Sequence, residues 1–328
     1  MKLAPITFFV AVAALLSAGL GGCSPDDLTG GEKKACVIYA SAECAKLDSC
    51  VLHGVANRYG DPATCLARLT AGCEANAGTH DSATTTGSLE GCANALPGAA
   101  CGDFERDTIA LCAPAQGTLA TGDACAFSSQ CSSTFCQLVA GTLCGTCQPL
   151  TTIGASCATT DCSRGYVCVA STKTCQAPSA EGTACGNTEP CGFALTCVTA
   201  SGSTMGTCQA TGTAVGAACD PRHETGPGCD QQAGLVCDGA TGMCIELTYA
   251  GAGQPCGNVS GTEIACDGAS VCFGVSGTTP GMCKALVKEG SACDPTSGPT
   301  CMSPARCVGP GLATNPGTCQ LPDGKVCK

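Results

Sequence analysis

The side chains able to do chemistry in this chain are mostly thiols. Its 328 residues include 35 cysteines and only three histidines, His53, His80 and His223. A thiol can cross-link to another thiol, ligate zinc as a thiolate, exchange in a redox pair or accept a lipid, and its spacing and surroundings decide which. The histidines lie far apart, with neither a His-Glu-x-x-His nor a Gly-x-Ser-x-Gly pattern around them. They read as surface residues. Cys144-Gly145-Thr146-Cys147 has the spacing of a redox or zinc pair, but it stands among dozens of other thiols and is better read as framework. Asp220, Asp230, Asp238, Asp267 and Asp294 lie close to cysteines. Without an Asp-x-Asp-x-Asp-Gly loop they read as solvated carboxylates, not calcium ligands. No catalytic residue, metal or cofactor is expected, and the chain reads as non-enzymatic.

The composition shows what must hold such a chain together. Cysteine above about 8–10% marks a disulfide scaffold. Seven Phe, four Tyr and no Trp leave little of the large apolar area that dominates core burial. The positive mean hydropathy of +0.22 comes largely from Ala and Cys, which bury far less than Leu or Phe. Cross-links must replace much of the core.

Residues 1–22 have a basic start at Lys2, an apolar run from Ile6 to Leu16 and then small residues, the layout of a secretory signal peptide. The run is too short to span a bilayer. Leu20-Gly21-Gly22-Cys23 resembles the bacterial lipobox. The resemblance implies that Cys23 receives a diacylglyceryl group, that cleavage precedes it and that the new amine is acylated. Several chains at about 0.8 kcal/mol per buried CH₂ anchor durably where one is marginal. Counting agrees: without Cys23, 34 cysteines remain, an even number able to form 17 disulfides. Export to an oxidising compartment permits them. Ser24, rather than an acidic residue, follows Cys23, which favours the outer membrane or cell surface, and residues 23–32 read as a polar tether.

From 33 to 115 the pattern is helical and holds eight cysteines. Cys36, Ala40, Cys44, Leu47 and Val51 form one apolar stripe. Asp61-Pro62 reads as an N-cap and first helical position, with Cys65, Leu69 and Cys73 on one face behind it. Leu89, Cys92, Ala93 and Leu96 form a third stripe, and a fourth helix is expected over 102–112. Four short helices stapled by four disulfides follow, with the pairing open among 105 connectivities.

From 122 to 328 the chain is a repeat array. Gly122, Gly154, Gly182, Gly216, Gly253, Gly290 and Gly324 each stand three residues before a cysteine, at spacings of 28 to 37 residues. Each repeat carries four aligned cysteines, the fourth often within Gly-Thr-Cys-Gln. Six repeats are complete, and a seventh stops at Cys327. Cys144 is the one extra thiol. If every repeat closed on itself, Cys144 and Cys327 would be stranded at opposite ends, so an offset ladder is expected. It pairs Cys125 with Cys144, Cys131 with Cys147, Cys136 with Cys157, Cys162 with Cys175 and Cys168 with Cys185. It continues to Cys301 with Cys319 and Cys307 with Cys327. A variant joining second to third cysteine and fourth to the next first also balances. The expected fold class is small and disulfide-rich: an N-terminal bundle of short helices, then an extended, semi-rigid array of disulfide-stapled β-hairpin and loop repeats.

Cys125-x5-Cys131-x4-Cys136-x7-Cys144-x2-Cys147, followed by Cys157, resembles the N-terminal cysteine-rich domain of Dickkopf proteins and, more distantly, colipase. The resemblance implies first-to-fourth and second-to-fifth bridges, hence Cys125–Cys144 and Cys131–Cys147. The whole arrangement is similar to cysteine-rich surface lipoproteins of complex Gram-negative bacteria. Without Lys2 there remain 14 basic and 26 acidic side chains, which excludes nucleic acid as the expected partner. The expected role is a lipid-anchored, non-catalytic binding, adhesion or structural module of the cell envelope that meets an unidentified protein or glycan. The alternative is a small effector that inhibits a hydrolase or assists a lipase as colipase does. Thiolate metal storage would require free thiols.

Overall fold

The computed structural model describes residues 28–158, 161–186, 190–276, 279–309 and 316–327. Five α-helices come first: α1 (Gly30–Cys50), α2 (Gly54–Tyr59), α3 (Pro62–Ala77), α4 (Thr86–Ala95) and α5 (Cys101–Glu105). Helix α1 starts earlier than the tether reading allows. Thr29 accepts from the Glu32 backbone while the Glu32 carboxylate accepts from the Thr29 backbone, a reciprocal capping box that holds Gly30 and Gly31 helical. Asp61 caps α3 with Pro62 at its first position. The helix expected over 102–112 survives as one turn, because Asp107 turns left-handed at φ 55° and the chain resumes as a 3₁₀ turn at Ala110–Cys112. Four disulfides staple these helices: Cys36–Cys73, Cys44–Cys65, Cys50–Cys101 and Cys92–Cys112.

Small sheets follow, one in each of six units, antiparallel but for one parallel pair in unit 5 between Thr248–Ala250 and Thr262–Cys266, and the class is a small disulfide-rich fold. Within every unit the last two strands form a hairpin that sets the third cysteine opposite the fourth, as in Cys136 with Cys147 and Cys307 with Cys319. In unit 1 the first strand pairs on the other side, placing Cys125 opposite Gly145, two residues before Cys147 and therefore on the same face. A Cβ on Gly145 would lie 2.0 Å from the Gln137 carbonyl, and Gly206, Gly281 and Gly317 are similarly crowded. Close strand approach is thus what the Gly-x-Cys part of the repeat supplies.

The array glycines have a second job. Gly122, Gly154, Gly182, Gly216, Gly253 and Gly290 all take positive φ, and each donates its N–H to the carbonyl of its unit's fourth cysteine at 2.7–2.8 Å. The fourth cysteine in turn donates to the carbonyl of the residue after that glycine. Gly-x-x-Cys is a left-handed turn clipped onto the central strand.

The array does not extend as a rod. It bends around the helices, and each unit touches a different part of them. In unit 1, Ser129 accepts the Ala83 N–H through its carbonyl, and its hydroxyl donates to Asn76. Arg164 of unit 2 pairs with Asp107 at 2.5 Å. Phe193 of unit 3 lies over Gly102, and Gln232 of unit 4 accepts the Leu52 N–H at 2.7 Å. Ala269 of unit 5 donates to the Ala56 carbonyl at 2.9 Å. Pro304 of unit 6 covers Gly72, and the Met302 and Ser303 carbonyls accept from the buried guanidinium of Arg68. The main helical core is shared: Cys44, Leu47, Val55, Tyr59 and Cys65 pack with Ala269 and Met302 of the array. The helices form a hub, and the units form a belt around it.

Candidate functional site

The cysteines were the residues expected to matter, and the structure assigns 34 of them to 17 disulfides. The offset ladder holds in its second-to-fourth rungs and is overturned in every rung that involves a first or third cysteine. In each unit the first cysteine joins the third: Cys125–Cys136, Cys157–Cys168, Cys185–Cys197, Cys219–Cys237, Cys256–Cys272 and Cys293–Cys307. The second joins the fourth: Cys131–Cys147, Cys162–Cys175, Cys191–Cys208, Cys229–Cys244, Cys266–Cys283 and Cys301–Cys319. Cys125 therefore does not meet Cys144, Cys136 does not meet Cys157, Cys168 does not meet Cys185 and Cys307 does not meet Cys327. The strand register is the reason, since it stacks the first and third cysteines of one unit on the face where a clasp to the next unit would have to start. The variant in which the second joins the third fails because every second cysteine bonds to the fourth.

The two thiols that defeated self-contained repeats bond to each other. Cys144 and Cys327 are joined across 183 residues of sequence, with Cα atoms 5.4 Å apart. Stranding them followed from assuming an open array. In a belt, the ends meet. Arg306 of unit 6 supports the seam by donating to the Leu143 and Ala126 carbonyls of unit 1, at 2.6 and 3.1 Å, and Gly309 donates to Gly141. Cys144 and Cys147 thus have different partners, and the Cys-x-x-Cys pair of unit 1 is no redox or zinc pair. Close sulfur triplets such as Cys125, Cys131 and Cys147 are places where two disulfides of one unit touch.

The aspartates beside cysteines mostly hold turns. Asp220 accepts from the backbone of Arg222, Glu224 and Thr225 and from the Thr225 hydroxyl, and these bonds hold its carboxyl far below the usual range. Asp294 likewise accepts from Thr296 and Ser297, and Asp238 from Ala240 and Thr241. Asp230 accepts from Gln232 and Ala233. An acidic residue followed within a few positions by Ser or Thr carries this signal. His53 meets Tyr249 edge to face at 5.1 Å, while His80 hydrogen-bonds its neighbour Asp81.

Leu20, Gly21, Gly22 and Cys23 lie outside the described residues. Among the described residues, no helix is long and apolar enough to cross a membrane.

Two depressions stand out among the described residues. A cleft of about 550 Å³ runs between the hub and units 2 and 3, lined by Asp103, Arg106, Arg164, Tyr166 and Phe193. Its arginines are already paired, Arg106 with Asp103 at 3.5 Å and Arg164 with Asp107. A second cavity, of about 330 Å³, lies within the hub, walled by Tyr39, Leu96, Phe104 and Ile109 and carrying Glu43 and Asp107. Periodicity placed Leu96 on an apolar stripe, but it gave no sign that Glu43 of α1 turns inward. No family model, curated protein or solved structure matches the chain.

Proposed function

We propose that this is a lipid-anchored cell-envelope protein, tethered through Cys23 to the outer membrane or cell surface, whose belted hub is a non-catalytic binding or adhesion module for a protein or glycan. One observation carries the anchoring. The 34 cysteines after Cys23 bond among themselves with none left over, so Cys23 is the single thiol that the disulfide framework does not use. A lipobox cysteine must stay free of that framework in order to accept its lipid, and the pairing leaves it so. The density of cross-links also supports an oxidising compartment. Binding rather than catalysis is supported by what the units present outward: six copies of one clipped turn, suited to repeated contacts around a perimeter. A closed belt supports contact at short range instead of reach on a stalk.

The test is metabolic labelling with palmitate followed by detergent partitioning. Wild-type protein should be labelled and enter detergent, and Cys23→Ala should be unlabelled while keeping all 17 disulfides. Mature, palmitate-free protein starting at a residue other than 23 would overturn the reading.

A further inference from the structure

The hub cavity holds a buried carboxyl group that the fold only partly answers. Glu43 sits one turn beyond Tyr39 on α1, and both line the cavity. Its Oε2 is fully enclosed and has no hydrogen-bond partner, and no ion pair to Glu43 occurs among the described residues. Removing a carboxyl from water without a full set of partners is expensive, and native proteins rarely keep such a group without a reason. Burial raises the Glu43 pKa, with the charge of Asp107 adding to it, and the Tyr39 hydroxyl and Arg58 only partly oppose this. The cavity is not simply acidic. Leu96, Phe104 and Ile109 supply apolar wall, while Arg58, Glu105 and Asp107 stand solvent-exposed at its rim. Asp107 is held there by a left-handed backbone turn and by Arg164 of the belt.

A recess of about 330 Å³ in which convergent polar groups meet an apolar wall of Leu96, Phe104 and Ile109 has the size of a small-ligand site. The complementary ligand has one positive donor group and a short apolar body. We propose that the Glu43 cavity binds an alkylammonium group, that of a free primary amine or of a partner's lysine side chain, with the ammonium against the Glu43 and Asp107 carboxylates and the methylenes against Phe104, Leu96 and Ile109. The lining also includes the aromatic residues Tyr39 and Phe104, whose π-systems can attract a cation. This goes beyond the anchoring and adhesion reading and does not depend on it.

Titration calorimetry of the detergent-solubilised, oxidised protein tests it. The probes are n-hexylamine, n-hexanol, n-hexanoate and a capped Gly-Gly-Lys-Gly-Gly peptide. Hexylamine should saturate one site and bind at least about tenfold more tightly than hexanol, with hexanoate excluded. Glu43→Gln, which keeps the side-chain shape, should weaken hexylamine at least about tenfold while unfolding cooperatively as wild type does. Phe104→Leu should weaken hexylamine and hexanol together. If the peptide competes with hexylamine, a partner's lysine is the source; if it does not, the ligand is a free amine. Equal binding of hexanol and hexylamine, undiminished hexylamine binding by a folded Glu43→Gln protein, or no saturation by about 10 mM of either amine would each overturn the proposal.

Discussion

Cys144 and Cys327 are bonded to each other, so the first and last units of the belt are covalently one neighbourhood. Every other disulfide closes within a unit or within the hub, and none links hub to belt among the described residues. Apart from the chain that connects them, the hub is therefore held inside the ring by packing, hydrogen bonds and ion pairs such as Arg164–Asp107 and Arg68–Glu289.

Opening the ring should leave the units intact. Cys327→Ser is expected to expose Cys144 as the single new thiol and to preserve both cross-links of all six units. Closing a loop of 183 residues contributes about 5 kcal/mol at most in the chain-entropy model, and intervening bridges shorten the effective loop and reduce that figure. Proteolysis should then attack unit 6 first. Non-reducing peptide maps and limited digestion read the outcome, and a Cys327→Ser protein with scrambled unit bridges would contradict it.

Arg68 should be the costliest hub residue to lose. Its buried guanidinium donates to the Met302 and Ser303 carbonyls at 2.8 and 3.0 Å and also pairs with Glu289. Charged hydrogen bonds contribute about 1.5–3 kcal/mol each, so Arg68→Ala should destabilise by at least about 2–3 kcal/mol. Hydrogen exchange should rise first at Val287 and Met302, whose N–H groups bond within unit 6. A change below about 0.5 kcal/mol would show that unit 6 docks without it.

Two classes of glycine should separate on substitution. Gly234 at φ 70° approaches the hub so closely that a Cβ would lie 2.3 Å from Leu52 Cδ2, whereas Gly216 at φ 82° faces open space. Gly216→Ala should cost only the left-handed strain, about 1–2 kcal/mol, and Gly234→Ala should cost clearly more. Thermal unfolding of the two variants decides, and equal losses would argue against hub contact at unit 4.

The pH response should have two opposing parts. Asp220, Asp238 and Asp294 are held below their ordinary range by their turn hydrogen bonds, so the stability they contribute is present above the unfolded aspartate range and is lost as pH falls through their lower folded values. Glu43 runs the other way. Burial raises its folded value, so the folded state takes up a proton first and gains stability as pH falls towards the ordinary glutamate range. Tyr39, Arg58, Asp107 and Tyr59 are the titratable or charged groups that sense it. Glu43→Gln should raise stability at neutral pH and erase that gain, which unfolding midpoints between about pH 4 and 8 would show. A Glu43→Gln protein less stable than wild type at pH 7 would contradict the assignment.

Much of the framework was legible because it is local. Gly-x-x-Cys recurs since the same left-handed turn must clip onto each central strand, and the bridge from second to fourth cysteine recurs in every unit. The Asp61-Pro62 cap was legible for the same reason. Closure was not. Counting alone could not distinguish an offset ladder from a ring, because both leave no thiol unpaired and only the curvature of the array separates them. Nor could periodicity reveal the docking residues. Units 2 to 6 meet the hub through Arg164, Phe193, Gln232, Ala269 and Pro304 respectively, and five unlike side chains form no motif. The inward Glu43 was hidden in an otherwise ordinary helix.

The seam also sets a timetable. Partners inside a unit lie 11 to 18 residues apart and can oxidise soon after they emerge, whereas Cys144 must wait for 183 further residues. Through that interval it is the one thiol in the belt whose proper partner does not yet exist, surrounded by five later units each presenting four reactive thiols. Fidelity of the whole molecule then depends on each unit consuming its own cysteines before Cys144 can capture one of them.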